Sequence, residues 1–401
     1  MRVFLSTYGS RGDVEPVLAL ALELQRSGAE VTVCAPPDFA GLLAGFGVPM
    51  VPLGRSAEAL TKAAPPPSSI PEHAAELIAA QFEVVSEAAS GYDVLVATGM
   101  VPAAAGALSV AELLGLRSVS VTFQQLTLPS PTHRPLAFPG RPFPPDVTDS
   151  RTLWDLDAES NNVLFAEALN RRRTKHGLLP VDNIRDYVIG DQPWLATDPL
   201  LDPWQESTAF DVVQTGAWIL PDQRPLPDDL AEFLAAGDAP VFVGFGSMPM
   251  HSSADAARVA IEAVRAQGRR TILRRGWANL ALIDDQDDCF AVDEINQQKL
   301  FGHVAAVVHH GGAGTTMTTT RAGTPQVVVP QAADQPYWAG RVAELGIGAA
   351  HDGPALTFES PSAALETALA PATGVRAKEV AGLIRTDGTA VAAKLLLDGS
   401  R

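Results

Sequence analysis

Positive charge is scarce in this chain of 401 residues: 29 lysines and arginines stand against 46 aspartates and glutamates, a net charge of −17 at pH 7. That balance disfavours nucleic acid and anionic membrane as partners, since both require a basic face. A phosphate-bearing substrate would have to be held by local amides, dipoles and a few cations against an unfavourable overall field. Cysteine is scarcer still. Only Cys34 and Cys289 occur, far apart, so two reduced thiols in a cytoplasmic protein are the simpler reading and one disulfide the alternative. No apolar run approaches the roughly 18 residues of a membrane span, and the start, Met1-Arg2-Val3-Phe4-Leu5, reads as a strand rather than a signal segment. Metal-ligand spacing is missing: His309 and His310 are adjacent, so their side chains diverge, and no H-x-x-x-H pattern exists. Asp285-Gln286-Asp287 sits in the acidic run Asp284–Asp288 and reads as a solvated loop. A dinucleotide fingerprint is also incomplete. The first turn offers only Gly9-x-x-Gly12, and the second strand ends Val33-Cys34-Ala35-Pro36 without the acid that would hold a ribose. No G-x-S-x-G elbow appears.

What is present is a long alternation of apolar strands and amphipathic helices. With 46% hydrophobic residues, the chain has a sizeable core, and its length suggests more than one domain. Strands are expected at Val3–Ser6, Glu30–Ala35, Pro49–Leu53, Val94–Ala97 and Ser118–Val121, with helices at Phe39–Phe46, Ala74–Ala89 and Pro102–Leu114 between them. Such βαβ alternation implies a mostly parallel sheet covered on both faces. Residues 128–145 break the pattern with Pro129, Pro131, Pro135, Pro139, Pro142, Pro144 and Pro145. A long loop of this kind is either functional or packed on the fold, and its Phe138 and Phe143 suit an apolar ligand. Thr152–His176 is strongly helical. Trp218 to Pro227 has linker composition, and the alternation restarts at Pro240–Gly244.

The most informative stretch is His309-His310-Gly311-Gly312-Ala313-Gly314-Thr315-Thr316, after the apolar run Val304–Val308. A strand delivering glycine amides and a hydroxyl to a helix beginning near Thr315 makes an anion pocket, because unpaired N–H groups and the helix dipole both point at the ligand. Asp334-Gln335 follows the next apolar strand and offers a carboxylate and an amide suited to hydroxyl groups. Phosphate cradle and hydroxyl ligands together suggest a nucleotide-sugar site. Asp13, in the turn after the first strand, could act as a general base or could simply cap the helix that follows.

With these residues in place, the chain resembles the two-domain GT-B glycosyltransferases of family 1, and within them the bacterial enzymes that glycosylate vancomycin-type glycopeptide antibiotics. The resemblance rests on Gly9-Ser10-Arg11-Gly12-Asp13-Val14-Glu15-Pro16, Val213 to Asp222, Gly244-Phe245-Gly246-Ser247, Arg275-Gly276-Trp277-Ala278, His309–Thr316 and Asp334-Gln335-Pro336-Tyr337. It implies an α/β fold of two Rossmann-like domains with parallel sheets facing across a cleft. An N-terminal acceptor domain would span 1–203, a linker 204–226, a nucleotide-sugar domain 227–385, and a C-terminal helix in 386–401 would cross back toward the first domain. The implied reaction is inverting, metal-independent and cofactor-free: a hexose moves from a UDP- or dTDP-sugar to a hydroxyl of a glycopeptide aglycone. Ser10, Gly12, Ser247, His309, His310, Gly311, Gly312, Ala313, Gly314 and Thr315 would surround the donor diphosphate. Asp334 and Gln335 would contact the sugar, with Met317, where relatives often carry histidine, facing it. Glu294 and Ile295 mark the nucleobase region, and Phe138 and Phe143 the acceptor surface. Asp13 is the leading candidate base and Asp334 the alternative. A cytoplasmic monomer is expected. The competing functions are transfer to another lipophilic product such as a macrolide or polyketide, and a non-catalytic auxiliary homologue.

Overall fold

The computed structural model describes residues 1–63, 65–205, 210–245, 253–276, 280–284, 286–352 and 359–399. The chain divides into two compact units, Met1–Leu220 with Arg385–Arg401, and Pro221–Ile384.

The first unit holds strands β1 (Arg2–Ser6), β2 (Glu30–Ala35), β3 (Met50–Pro52), β4 (Val94–Ala97), β5 (Arg117–Thr122), β6 (Trp194–Leu195) and β7 (Val213–Gln214). They form one parallel sheet in the order β3-β2-β1-β4-β5-β6-β7. Its central strands are continuous apolar runs because both faces are covered: Val3, Leu5, Val94 and Val96 face one buried cluster, and Phe4, Leu95 and Ala97 the other. The Gly388–Leu397 helix belongs to this unit; Ala392, Ala393 and Leu396 join the cluster around the Arg11–Arg26 helix, and Arg117 donates to the Leu396 carbonyl at 2.6 Å. The stretch 204–226, read from the sequence as a linker, differs in detail: it contains β7, and Trp218 is buried in the same cluster. Ala74–Ala89, read as one helix, is Ile70–Ala80 followed by a π-turn at Gln81–Val85 and a last turn at Ser86–Ala88. Gln81 is fully buried there, and its amide donates to the Ala103 carbonyl at 3.1 Å.

The second unit holds β8 (Val241–Gly244), β9 (Thr271–Arg274), β10 (Cys289–Val292), β11 (Ala306–His309), β12 (Gln326–Val328) and β13 (Gly348–Ala350). The sheet is again parallel, in the order β10-β9-β8-β11-β12-β13. Both sheets therefore reverse strand order once, beside β1 and β4 in the first and beside β8 and β11 in the second. Open parallel sheets bind ligands outside the carboxyl ends of the strands at such a switch point. Cys34 and Cys289 are free thiols. Among the described residues no helix is long and apolar enough to cross a membrane.

Candidate functional site

At the second switch point, β8 ends in Gly244 and β11 in His309. The chain leaves β11 through Gly311, whose φ of +90° is open to glycine and closed to other residues; a Cβ there would also lie 2.6 Å from Val328 Cγ1. The following helix, Ala313–Ala322, starts earlier than the sequence suggested. Gly312 is its N-cap in extended conformation, with no side chain capping it. The first amide to enter the helical ladder is Thr316 N–H, which donates to the Gly312 carbonyl at 3.0 Å. The amides of Ala313, Gly314 and Thr315 precede it and point out of the helix start. Gly314 is exposed, and Ala313 and Thr315 are partly so.

His310 lies over this helix start, its Nε2 2.6 Å from where a Gly312 Cβ would sit. Its Nδ1 is buried without a hydrogen-bond partner. Burial first, then the positive charge of Arg274 at the end of β9, pulls His310 down to about 4, so it is neutral at physiological pH. An unpaired buried nitrogen costs free energy; beside unpaired amides it is a group that a ligand would satisfy. Arg274 was not singled out in the sequence. Its signal was there, since an arginine closing a parallel strand arrives at the ligand edge of the sheet.

The fold also brings the second motif to the first. A Cβ on Gly311 would lie 3.2 Å from the Gln335 carbonyl oxygen and 3.3 Å from Gln335 Cβ. Gln335 is buried, and its Oε1 accepts from the amides of Gln331 at 2.7 Å and Ala332 at 3.1 Å, which ties down the approach to the Gln335–Glu344 helix. Asp334 is the N-cap position of that helix, and its Oδ2 accepts from Trp338 Nε1 at 2.6 Å. Just before it Ala333 has φ +54°, the one non-glycine residue with positive φ among the described residues. Strain of this kind persists where surrounding contacts over-determine it.

Other expected site residues are placed differently. His309 is fully buried, with one ring nitrogen 2.9 Å from Gln326 Oε1 and the other accepting from Gly311 N–H at 3.0 Å, so its ring is committed inside the domain. Burial, His310 and Gln326 together leave it at about 3, hence neutral. Met317 is 7% exposed, a packed side chain of the helix. Ile295 is buried with Leu230, Phe242, Ile272 and Leu300, while Glu294 is exposed and pairs with Arg224 at 3.0 Å. Ser247, together with Gly246, Trp277 and Ala278, lies outside the described residues. Asp284 and Asp288 of the acidic run both bind Arg265, at 2.7 Å each; Asp285 is outside the described residues. Among the described residues no group of three or more His, Cys, Asp or Glu is arranged to hold a metal.

In the first unit, the turn after β1 also sits at a switch point. Ser10 is the N-cap of the Arg11–Arg26 helix; its hydroxyl accepts from Gly12 N–H at 3.3 Å. Asp13 Oδ2 in return accepts from Ser10 N–H at 2.8 Å, a capping box. A Cβ on Gly9 would overlap the Asp13 carboxylate, so the glycine makes room for the acid. Phe138 packs edge-on against Phe165 at 5.7 Å, and Arg134 lies 5.9 Å over the Phe143 ring. A buried polar group beneath this proline-rich loop was not legible in the sequence. Trp154 Nε1 donates to the Ser130 and His133 carbonyls, Arg185 donates to the Trp154 carbonyl and lies 3.9 Å from Asp157, and burial pushes Asp157 up to about 6.

Comparison with known proteins shows the family and the fold. Residues 3–127 match the glycosyltransferase family 28 N-terminal domain, and residues 279–390 the C-terminal domain of proteins like erythromycin biosynthesis protein CIII. Glycosyltransferase GtfE of Amycolatopsis orientalis is 55% identical over 399 residues, covering 99% of this chain and 97% of its own. The vancomycin aglycone glucosyltransferase of the same organism is 53% identical over 400 residues, with the same coverage. The crystal structure of the kitacinnamycin glycotransferase shares the fold, with a TM-score of 0.74 at 21% identity over 99% of this chain and 98% of that one. The chain belongs to the GT-B glycosyltransferases, in the group that contains the vancomycin aglycone glucosyltransferase.

Proposed function

We propose that this protein transfers a hexose from a uridine or thymidine diphosphate sugar to a hydroxyl of a glycopeptide aglycone, with inversion and without a metal ion. The observation that carries the donor half is the uncapped start of the Ala313–Ala322 helix beside the neutral, unpartnered His310. The acceptor class rests on the 53% identity to the vancomycin aglycone glucosyltransferase over 99% of the chain.

In this reading the acceptor oxygen attacks the anomeric carbon from the face opposite the diphosphate, and its proton passes to Asp13. The bond from the anomeric carbon to the diphosphate oxygen breaks, and its electron pair leaves with the diphosphate. Charge grows on that leaving group, where the Ala313, Gly314 and Thr315 amides, the helix dipole, His310 and Arg274 can stabilise it without reorganising. A neutral imidazole supplies one N–H donor there. Asp334, which accepts from Trp338, would also accept from sugar hydroxyls, and the Gln335 side-chain amide would donate to them. In this reading fixed dipoles and cations stabilise the leaving group in the way a divalent ion otherwise would.

The test is a mass-spectrometric screen of UDP- and dTDP-hexoses against glycopeptide and macrolide aglycones, repeated in excess EDTA. One hexose should be added to a glycopeptide, undiminished by the chelator. Transfer to macrolides alone would overturn the acceptor class. Activity abolished by EDTA and restored by Mg²⁺ or Mn²⁺ would overturn the metal-free mechanism.

A further inference from the structure

His309 does not face a ligand, yet its hydrogen bonds begin and end at the glycine turn. Gly311 N–H can only donate, so the ring nitrogen it meets at 3.0 Å, Nδ1, must accept. In a neutral ring the proton is then on Nε2, which donates to Gln326 Oε1 at 2.9 Å. That orients the Gln326 amide, whose Nε2 donates to Thr320 Oγ1 at 2.8 Å. The Thr320 hydroxyl donates to the Thr316 carbonyl at 2.8 Å, and Thr316 donates to the Gly312 carbonyl through both its amide and its hydroxyl, each at 3.0 Å. His309, Gln326 and Thr316 are fully buried, and Thr320 is 2% exposed. The circuit runs from Gly311 through β11, β12 and the Ala313–Ala322 helix and returns to Gly312.

We propose that His309, Gln326 and Thr320 are positioning residues: by this one-directional circuit they fix the peptides on both sides of Gly311–Gly312 and so aim the Ala313–Thr315 amides at the departing phosphate oxygen. Each member is required in one protonation state or orientation. A proton on Nδ1 would turn it from acceptor to donor and set it against Gly311 N–H. A buried ring far from its ordinary protonation range agrees with that requirement. Polar networks of this sort specify a single arrangement because any partly satisfied alternative is costly in a low dielectric. The consequence for catalysis is selective. Nucleotide binding tolerates small errors in amide direction, whereas charge developing on the leaving oxygen does not. The inference rests on the donor reading above.

Three measurements test it, each with melting temperatures alongside. First, ¹⁵N NMR of histidine-labelled protein should show one neutral imidazole protonated at Nε2 whose signal is unchanged down to pH 5. A His309 that is protonated at Nδ1, or charged at pH 7, would overturn the circuit. Second, His309→Leu and Gln326→Met should lower kcat with UDP-glucose or dTDP-glucose and vancomycin aglycone by tenfold or more. Their affinity for UDP and dTDP by calorimetry should change by less than threefold. His309→Asn, whose Oδ1 can accept from Gly311 N–H, should recover most of kcat. Wild-type kcat in both Leu and Met variants would overturn the proposal, as would loss of kcat in all three in proportion to lost melting temperature. Third, Ala313→Pro removes one candidate phosphate-binding amide at the first helical position, where proline fits, and should weaken UDP and dTDP at least tenfold. Unchanged affinity there would overturn the donor site itself. Weakened affinity there with wild-type kcat in Gln326→Met would overturn the circuit alone.

Discussion

The proposed reaction gives Asp13 a second job beside its observed cap, and the pair can be separated. Its Oδ2 closes the capping box on Ser10 N–H, and under the proposal the same carboxylate takes the acceptor proton. Asp13→Asn keeps an oxygen for Ser10 but cannot take the proton. It should lower kcat about 10²–10⁴-fold with the melting temperature within a degree or two of wild type. Asp13→Ala should lose the same activity and also about 1 kcal/mol of stability. An Asn variant with wild-type kcat would shift the base role to Asp334. Asp157 makes a prediction of opposite character. Burial raises it to about 6, against the help of Arg185, so its contribution favours the fold below its ordinary range near 4 and is lost as pH rises through 6. Asp157→Asn removes that loss, and Arg185 keeps Asp186 at 2.7 Å and the Trp154 carbonyl. Urea unfolding should find the variant more stable by on the order of 1–3 kcal/mol at pH 7.5, with the difference gone by about pH 3, below the ordinary aspartate range. Neither the role of His309 nor the burial of Asp157 could be read from the chain. Two adjacent histidines look alike in sequence; which of them faces inward follows from the strand's last pleat and the glycine that follows.

Elements with long, strongly periodic patterns were legible. Glu30–Ala35 and Val94–Ala97 are strands with the bounds their apolar runs suggest, and the 26-residue helix Ser150–Lys175 is displaced only at its ends, where Asp149 caps it. The short pieces were not. Two-residue strands such as β6 and β7 carry no periodicity and exist because a neighbouring strand offers them a ladder. The Ala313–Ala322 helix starts ahead of Thr315 because glycine and alanine give no boundary signal of their own. It is also the element whose geometry can be attacked most directly. Gly311→Ala forces a Cβ against Val328 at φ +90°, and should cost about 2–3 kcal/mol, read as a lower denaturation midpoint. Nucleotide affinity should fall with it, since the turn sets the amides. A Gly311→Ala protein with unchanged midpoint would mean that the turn is not held as described.

At the scale of the whole molecule, the two units should answer acid differently. His309 and His310, held at about 3 and about 4 in the second unit, lie below the ordinary histidine value near 6.5. Their contribution to stability is present above that value and is lost as pH falls below it, because the unfolded chain takes up two protons the folded unit refuses. The slope approaches about 2.7 kcal/mol per pH unit. In the first unit His133, lowered by burial, acts in the same sense, while Asp157 acts in the other. Hydrogen exchange at pH 7 and pH 5, corrected for intrinsic rates, should show protection lost first in 221–384. Equal protection there at both values would contradict the buried neutral histidines.

The sequence by itself determined the class of fold and the family. Apolar strands alternating with amphipathic helices bury both faces as parallel sheets, and Gly9 to Asp13, His309 to Thr316 and Asp334-Gln335 are the ordered motifs that carry the family resemblance. Only tertiary structure decided which residues of those motifs are committed inside a domain and which stand at the carboxyl edge of a sheet. Packing β11 between β8 and β12 set His309 against Gln326 and left His310 over an uncapped helix. The same packing brought Gln335 against Gly311 from across β12. The reason is physical: a motif specifies which chemical groups are available, but burial and hydrogen-bond partners come from strands distant in sequence.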